Sequence, residues 1–214
     1  MYRNLGAAFL VLGAVAGAPS APPSKETEKV TYWMPTTVGI TRVFEKTRRD
    51  GDKLTTQTET RTVTSVDRTE HSLSVTVRVE KDGADPVVEA YAHFFKRGLY
   101  LVTHDNVLFN PPCCMLRLPY RSGDTWEVNN PAFCATPVKF TVGDEEEVEV
   151  PAGKFKAIKI EAVCEQDGKT SRSTHWAAAG SGVVKSVTKV GDEPETILVL
   201  KSVKTGEKPP DKAK

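Results

Sequence analysis

The residues best suited to acid–base chemistry are four histidines that lie scattered along the chain. They are His71, His93, His104 and His175. No two of them have the spacing of a metal-binding pair, although Asp105 directly follows His104. A periplasmic hydrolase-like enzyme that uses His93, or His104 with Asp105, is therefore one hypothesis. Each histidine is explained more simply as a surface or strand-face residue, so we predict no catalytic, cofactor-binding or metal-ligating residue.

The motifs of the common enzyme classes do not occur in the sequence. It contains no P-loop, no dinucleotide-binding glycine motif after a strand and no H-E-x-x-H. Gly180-Ser181-Gly182 precedes a predicted strand, whereas a nucleophile elbow leads into a helix. The acidic run 144–147 lacks the residue order of a calcium loop, and we interpret it as the solvated tip of a hairpin.

Four cysteines could form disulfides, and they are Cys113, Cys114, Cys134 and Cys164. An oxidising compartment would favour structural disulfides over unpaired buried thiols or a metal site, because the C-x-x-C pairs of closed zinc sites are missing. A bond from Cys113 or Cys114 to Cys134 would close a loop of about 20 residues and stabilise the fold by about 3 kcal/mol. The remaining vicinal thiol could reach Cys164 only if the chain bends at Pro111-Pro112. A direct Cys113–Cys114 bond is the least favourable because its ring is strained.

The N-terminus has the pattern of an export signal. Arg3 precedes an uncharged run from Leu5 to Ala18 that is shorter than the roughly 20 residues of a spanning helix. Small residues end this run, and they predict cleavage after Ala16 or Ala18. We therefore expect a signal peptide at 1–18 and an exported protein, periplasmic or extracellular and not integral to the membrane after cleavage. The alternative is an uncleaved N-terminal anchor.

Composition limits the remaining chain to a β-rich globular protein. The 214 residues include 29 basic and 28 acidic side chains, so the net charge of +1 gives none of the basic excess that nucleic-acid binding needs. The chain has 26 Val, 23 Thr and 4 Ile against 12 Leu, which favours strands. We predict a flexible linker at 19–29, one β domain at 30–204 and a disordered tail at 205–214.

Apolar and polar residues alternate along short segments that are separated by turn residues. Leu73, Val75, Val77 and Val79 alternate with polar residues, and this period of two indicates a strand with one buried face. Turn signals recur every 8 to 12 residues, and no helical stripe is evident. We predict about ten strands in one antiparallel meander that curls into a half-barrel or barrel. They are 54–66, 73–80, 87–95, 99–104, 137–142, 147–150, 155–164, 171–176, 182–190 and 196–203.

The three tryptophans lie beside turns or strand ends. At such positions an indole ring covers one edge of a β core while its N–H finds an acceptor. We therefore interpret Trp33, Trp126 and Trp176 as core residues. The alternative is that they line the mouth of a ligand cavity.

Four short phrases occur in a familiar order between residues 32 and 204. They are Tyr32-Trp33-Met34-Pro35 with Val38-Gly39, Leu118-Pro119 with Gly123-Asp124-Thr125-Trp126, Val150-Pro151-Ala152-Gly153-Lys154-Phe155, and Trp176 with Gly180-Ser181-Gly182-Val183-Val184-Lys185. Together they resemble the TapB-like family of exported bacterial proteins of unknown function. Arg42 stands where that pattern usually has an aromatic residue, and Ala177-Ala178-Ala179 replaces its Tyr-Ala-Pro.

The resemblance implies a fold similar to the incompletely closed barrel of lipoprotein-carrier proteins. Its motif residues are interpreted as structural, and they are Gly39, Gly123, Trp126, Pro151, Gly153, Phe155, Trp176 and Gly182. The leading hypothesis is a non-enzymatic envelope domain that holds a lipid, another hydrophobic ligand or a protein partner in a concave sheet. The hydrolase-like enzyme is the alternative, and a purely structural role in an envelope assembly is a third hypothesis.

Overall fold

The computed structural model describes residues 31–206, and its regular structure consists of strands. Each strand pairs antiparallel with its neighbours in a single twelve-stranded sheet. The strands are β1 (Thr41–Asp50), β2 (Lys53–Arg68), β3 (Ser72–Lys81), β4 (Val87–Phe94), β5 (Gly98–His104), β6 (Val107–Arg117), β7 (Thr125–Val128), β8 (Val138–Val150), β9 (Gly153–Gln166), β10 (Lys169–Ala178), β11 (Gly182–Val190) and β12 (Thr196–Lys204).

The sheet joins two six-stranded meanders through the strands at the two ends of the described chain. Strands β1 to β6 are neighbours in sequence order, as are β7 to β12, and β1 pairs with β12 from Thr41–Lys204 to Arg48–Thr196. The edges of the sheet are therefore β6 and β7, which follow each other in the middle of the chain.

The two edge strands approach each other and nearly close the sheet into a barrel. The Trp126 indole N–H of β7 donates to the Cys114 carbonyl of β6 at 2.9 Å. The Asn130 amide donates to the Pro111 carbonyl at 2.8 Å. These bonds hold the β6–β7 seam in place of a strand ladder.

The predicted all-β antiparallel meander with a half-barrel or barrel shape is confirmed, with twelve strands instead of ten. The alternation along β3 places Leu73, Val75, Val77 and Val79 in the core, each at most 1% exposed. A period of two on a one-sided sheet therefore predicted this strand and its buried face correctly.

Several strand predictions were wrong. The predicted strands 137–142 and 147–150 form one strand, β8, in which a bulge between Val142 and Glu145 accommodates the residues that we interpreted as a turn. The acidic run 144–147 therefore lies inside a strand and not at a hairpin tip. Strands β1, β6 and β7 were not predicted. Strand β6 contains Pro111 and Pro112, which an edge strand tolerates because it has one unpaired side.

The predicted signal peptide at 1–18 and the linker at 19–29 lie outside the described residues, as does most of the predicted tail. No helix between residues 31 and 206 has the length and apolarity needed to cross a lipid bilayer.

Candidate functional site

A cluster of charged and polar side chains lies inside the barrel on strands β1, β2 and β4. Its members, which we call the ion-pair cluster, are Arg42, Glu59, Arg61, Glu89 and Tyr91. Arg42 and Arg61 stand directly opposite each other in the β1–β2 register. Glu59 and Glu89 are buried, with 6% and 1% of their surfaces exposed. This part of the interior is therefore charged.

Arg61 is the centre of the cluster. Its Nε lies 2.5 Å from Glu59 Oε1, and its Nη1 lies 3.3 Å from Glu89 Oε2. The Tyr91 hydroxyl donates to Glu89 Oε2 at 2.7 Å, and His104 Nδ1 lies 3.0 Å from Glu89 Oε1. Both buried carboxylates are thus paired with the same guanidinium.

These contacts fix the charges of the cluster. Burial works to raise the pKa of Glu89, but Arg61 and the hydrogen bonds from His104 and Tyr91 lower it to about 2. Burial also works to lower the pKa of Arg61, yet the nearby Glu89, Tyr91 and Glu59 raise it above the usual arginine value. Burial and Glu89 raise the pKa of Tyr91. At neutral pH the cluster is therefore ionised at Glu89 and Arg61, with a protonated Tyr91.

Arg42 differs from Arg61 because no carboxylate in residues 31–206 forms an ion pair with it. The residue is 4% exposed, its Nη1 donates to the Ser181 carbonyl at 2.8 Å, and its buried Nε has no acceptor in the described chain. Burial and the neighbouring Arg61 lower the pKa of Arg42 to about 10. The Phe44 ring lies under both guanidinium groups, with its centroid 5.5 Å from Arg42 Cζ and 5.3 Å from Arg61 Cζ.

Gly182 provides the space in which the Arg42 guanidinium lies. Its φ is +76°, and a Cβ at this position would lie 2.9 Å from Arg42 Nη1 and 3.6 Å from the Trp33 carbonyl. Trp33 and Met34 belong to the segment before β1, and both are buried against the barrel interior. The turn between β10 and β11 therefore positions both Arg42 and this N-terminal segment.

Two cavities lie in the barrel, and the smaller one borders the ion-pair cluster. The smaller one, about 70 Å³, is lined by Arg42 and Arg61 and by apolar residues that include Trp33 and Ile160. The larger one, about 150 Å³, is lined by residues of both kinds that include Ala162 and Ser173. Met115, Phe140 and His175 line both cavities, so the two adjoin.

Strands β8, β9 and β10 form a largely apolar wall opposite the ion-pair cluster. Phe140, Ile160, Ala162 and Ala177 are buried there, and we call these four residues the apolar wall. Phe140 stacks on Trp126 with ring centroids 5.3 Å apart. His175 on β10 lies beside them, and burial together with Arg61 lowers its pKa to about 4. The imidazole is therefore neutral at neutral pH.

The hydrolase-like hypothesis uses His104 and Asp105. Their side chains lie close to a further carboxylate, that of Glu89. His104 lies 3.0 Å from Glu89 and 3.6 Å from Asp105. The hydrogen bond to Glu89 raises the pKa of His104, against burial. No serine, threonine or cysteine side chain of residues 31–206 hydrogen-bonds to His104, and neither cavity is lined by it. His93 is buried elsewhere, with both ring nitrogens unpaired in the described structure.

Glu89, His104 and Asp105 also have the residue types of a metal site. One ligand atom from each lies within 4.8 Å of the others. These atoms already have cationic partners, because Arg61 pairs with Glu89 and Lys81 pairs with Asp105 at 3.0 Å. The geometry is that of an ion-pair network.

The four cysteines are free thiols in the structure, which therefore contains none of the predicted disulfides. Cys113 is buried in the core and contacts the Met115 sulfur at 3.8 Å. Cys134 donates to the Glu165 carbonyl at 3.4 Å. Burial and a hydrogen bond with Cys134 raise the pKa of Cys164. The thiol that lies beside Cys134 is therefore Cys164, and not the vicinal pair that we expected to bond it.

The motif residues taken from the family resemblance lie at turns and in the core. Gly39, Gly123, Gly153 and Gly182 all have positive φ. Pro151 and Gly153 flank the turn between β8 and β9, and Phe155 packs with Trp176 against a second core cluster around Phe44. Trp126 is buried, whereas Trp176 is half-buried and its indole donates to Glu146. The role of these residues as family motif residues is a prediction that rests on the resemblance.

The ion-pair cluster was not predicted from the sequence. The predicted strand 54–66 lies within β2, and Glu59 and Val63 are buried on its inner face. The signal was the spacing of Glu59, Arg61 and Val63, which places opposite charges and an apolar residue on one strand face. Arg42 was noticed only as a departure from an aromatic pattern.

Comparison with known proteins shows the fold. No protein-family model matches the chain, and no curated protein matches it. Among solved structures, the chain is similar to a "putative lipoprotein" from Parabacteroides distasonis ATCC 8503, with 14% identity, a TM-score of 0.55, and coverage of 83% of this chain and 100% of that one. It is also similar to a "putative exported protein with YmcC-like fold" from Bacteroides fragilis NCTC 9343, with 16% identity, a TM-score of 0.54, and coverage of 81% and 99%.

Proposed function

We propose that this protein is an exported protein of the cell envelope that binds a small hydrophobic ligand inside its nearly closed barrel. The observation that carries the proposal is the pair of adjoining cavities of about 70 and 150 Å³, which share Phe140 as a wall. Protein interiors contain few voids larger than a water molecule. A cavity of about 150 Å³ is large enough to hold a ring of benzene size.

The lining of the cavities suits a partly apolar ligand. Phe140, Ile160 and Ala162 supply apolar surface, while Ser173 and His175 supply a few polar groups. Small-molecule sites in proteins commonly combine a mostly apolar lining with a few polar groups that orient the ligand. This composition suits an organic molecule that has both an apolar body and a polar group.

Export is supported by the N-terminal sequence and by the names of the structural neighbours. Arg3, the apolar run to Ala18 and the small residues around Ala16 have the pattern of a signal peptide. The two similar structures are described as a lipoprotein and an exported protein. Under this proposal the protein is located in the periplasm or outside the cell.

Binding is favoured over hydrolysis because the acid–base pair and the cavities lie apart. His104 is within hydrogen-bond reach of Glu89, as general acid–base chemistry needs, but its side chain is 41% exposed and lines neither cavity. A hydrolase would lose its activity in a His104→Ala variant. Hydrolysis of a 4-nitrophenyl ester that disappears in this variant would establish the hydrolase-like function instead.

The direct test fills the larger cavity from within. Ala162 lines this cavity, and the added side chain in Ala162→Leu would occupy part of its volume. We expect benzene-saturated buffer to raise the Tm of the wild type and of the control Ala84→Leu, which changes an exposed turn residue. We expect no such rise for Ala162→Leu. A wild-type Tm that benzene and larger apolar probes leave unchanged would overturn the proposed function.

A further inference from the structure

Arg42 is a buried cation whose charge is not paired by any described carboxylate. Its one hydrogen-bond acceptor within residues 31–206 is the Ser181 carbonyl, and its Nε is buried without a partner. Burying an unpaired charge is unfavourable, because the water that solvated the charge is lost. Such a group therefore calls for a partner from outside the described chain.

The surroundings hold Arg42 in place at the wall of the smaller cavity. The Ser181 carbonyl fixes Nη1, Gly182 leaves space for the guanidinium, and the Phe44 ring supports it from one side. The Arg42 side chain lines the cavity beside Trp33 and Met34. It is thus a preorganised donor group and not a mobile surface charge.

The ion pairs within the cluster leave Arg42 without a direct partner. Glu59 and Glu89 both pair with Arg61, so Arg42 is the arginine without a counter-ion. Arg42 and Arg61 together balance the two carboxylates, so one added negative charge gives the cluster a net charge of −1, which a protonated His104 beside Glu89 would offset. A second negative charge would face Glu59 and Glu89 at low dielectric, where like charges repel strongly.

Resting on the proposed function, we propose that the ligand is an organic monocarboxylate whose carboxylate binds Arg42 and whose apolar body occupies the adjoining cavity. A guanidinium donates two parallel hydrogen bonds to a carboxylate, and the buried Nε of Arg42 is a donor without an acceptor in residues 31–206. The adjoining cavity of about 150 Å³ is large enough for a ring of benzene size. Phe140 and His175 line both cavities and so mark the passage from the head group to the body.

The test compares phenylacetate with phenylacetamide, which have almost the same shape and differ in charge. Titration calorimetry on the full chain would measure both affinities, with the summed emission of Trp33, Trp126 and Trp176 as a second readout. We expect phenylacetate to bind the wild type at least 10-fold more tightly than phenylacetamide. In Arg42→Met we expect phenylacetate to lose that advantage, while phenylacetamide binds within about 2-fold of its wild-type affinity. Arg48→Met is the matched control, since Arg48 lies on the same strand with a 44% exposed side chain paired to Glu193.

The outcomes separate the two proposals. Equal wild-type affinity for both ligands, or an unchanged preference in Arg42→Met, would overturn the carboxylate assignment and leave the proposed function intact. If neither ligand binds the wild type and benzene also fails, the proposed function itself is overturned. Tighter binding of phenyl phosphate than of phenylacetate would overturn the assignment of a single negative charge. If Arg42→Met does not fold, Arg42→Lys decides, because it keeps the charge and removes Nε; we expect weaker phenylacetate binding in this variant.

Discussion

The two sides of the barrel interior are built on different principles. On β1, β2 and β4, the inner face carries the ion-pair cluster, whose carboxylates Glu59 and Glu89 are both buried. On β8, β9 and β10, the inner face carries the apolar wall around Phe140, with one neutral histidine. The interior therefore has a charged side and an apolar side, and a ligand between them would be oriented by its own polarity.

This difference shows that the fold is stabilised by two kinds of interaction that respond differently to change. The apolar wall stabilises the fold because it removes apolar area from water. The stability lost in a truncated variant therefore increases with the volume deleted. The ion-pair cluster depends on mutual compensation of buried charges, so removing one partner is costly while replacing the whole set is not.

The largest effect is expected at the apolar wall. Phe140 is fully buried and stacked on Trp126. We expect Phe140→Ala to lower the free energy of unfolding by about 4 kcal/mol, because a large ring is deleted from the core. Urea unfolding would measure the change. Phe94→Ala, at a ring that is 37% exposed, serves as the control with a loss of about 1 kcal/mol or less.

The next effect is expected in the ion-pair cluster. Glu89→Gln removes a buried negative charge and leaves Arg61 with one carboxylate partner, so we expect a loss of about 3 kcal/mol in the free energy of unfolding. Glu80→Gln is the control, because Glu80 pairs with Arg78 on the surface and such pairs contribute about 0.5 kcal/mol. Equal losses in the two variants would show that the buried cluster does not differ from a surface pair.

The two sides should also respond oppositely to pH. The pKa of His175 is lowered from 6.5 to about 4, so the unfolded chain binds a proton that the folded protein does not bind. Stability should therefore fall as the pH falls from 6.5 to 4. The full pKa shift of His175 corresponds to about 3 kcal/mol in the free energy of unfolding. We expect a change of about 2 kcal/mol because the ring is half-buried. The difference in urea midpoint between wild type and His175→Gln across this range measures it.

The contribution of His104, on the charged side, changes with pH in the opposite direction. Its pKa is raised by the hydrogen bond to Glu89, so its contribution is fully present below pH 6.5 and is lost as the pH rises through the folded pKa. In His104→Gln this loss on the alkaline side should disappear. An identical pH profile for the wild type and both histidine variants would remove the distinction between the two sides.

The smallest effect is expected at the seam that joins the two edge strands. Trp126→Phe keeps an aromatic ring on Phe140 but removes the donor to the Cys114 carbonyl, so we expect a loss of about 1 kcal/mol in the free energy of unfolding. Trp176→Phe is the matched control, since the Trp176 indole donates to the exposed side chain of Glu146. A larger loss in the control would mean that the seam bond does not hold the edges together.

Local alternation predicted the sheet well where one face is apolar and the other is polar. Strand β3 shows this, since Leu73 to Val79 point inward at every second position. Alternation did not predict the strand correctly where a bulge interrupts the period of two. In β8 the residues at 143 and 144 have turn composition, yet the strand continues past them. Composition does not reveal a bulge, because the partner strand β9 provides its pairing.

The ion-pair cluster could not be predicted from single strands for another reason. Arg42 and Arg61 meet because β1 and β2 pair in one register, and they face Phe140 because the sheet curves around. Polar residues at inward positions look like exposed residues when a strand is considered alone. Tertiary structure determines which face of such a strand is buried, so the sequence predicted the half-barrel but not what lines it.

The pairing of β1 with β12 has a consequence for protein engineering. Thr41 and Lys204 are partners in the sheet, so the first and last strands lie side by side, and a synthetic linker could join residue 206 to the buried segment that precedes β1. New termini placed between β6 and β7 would cut no strand ladder, because these two strands are already the edges. The fold is therefore suited to circular permutation at 118–124, which would move the chain ends to the rim of the seam.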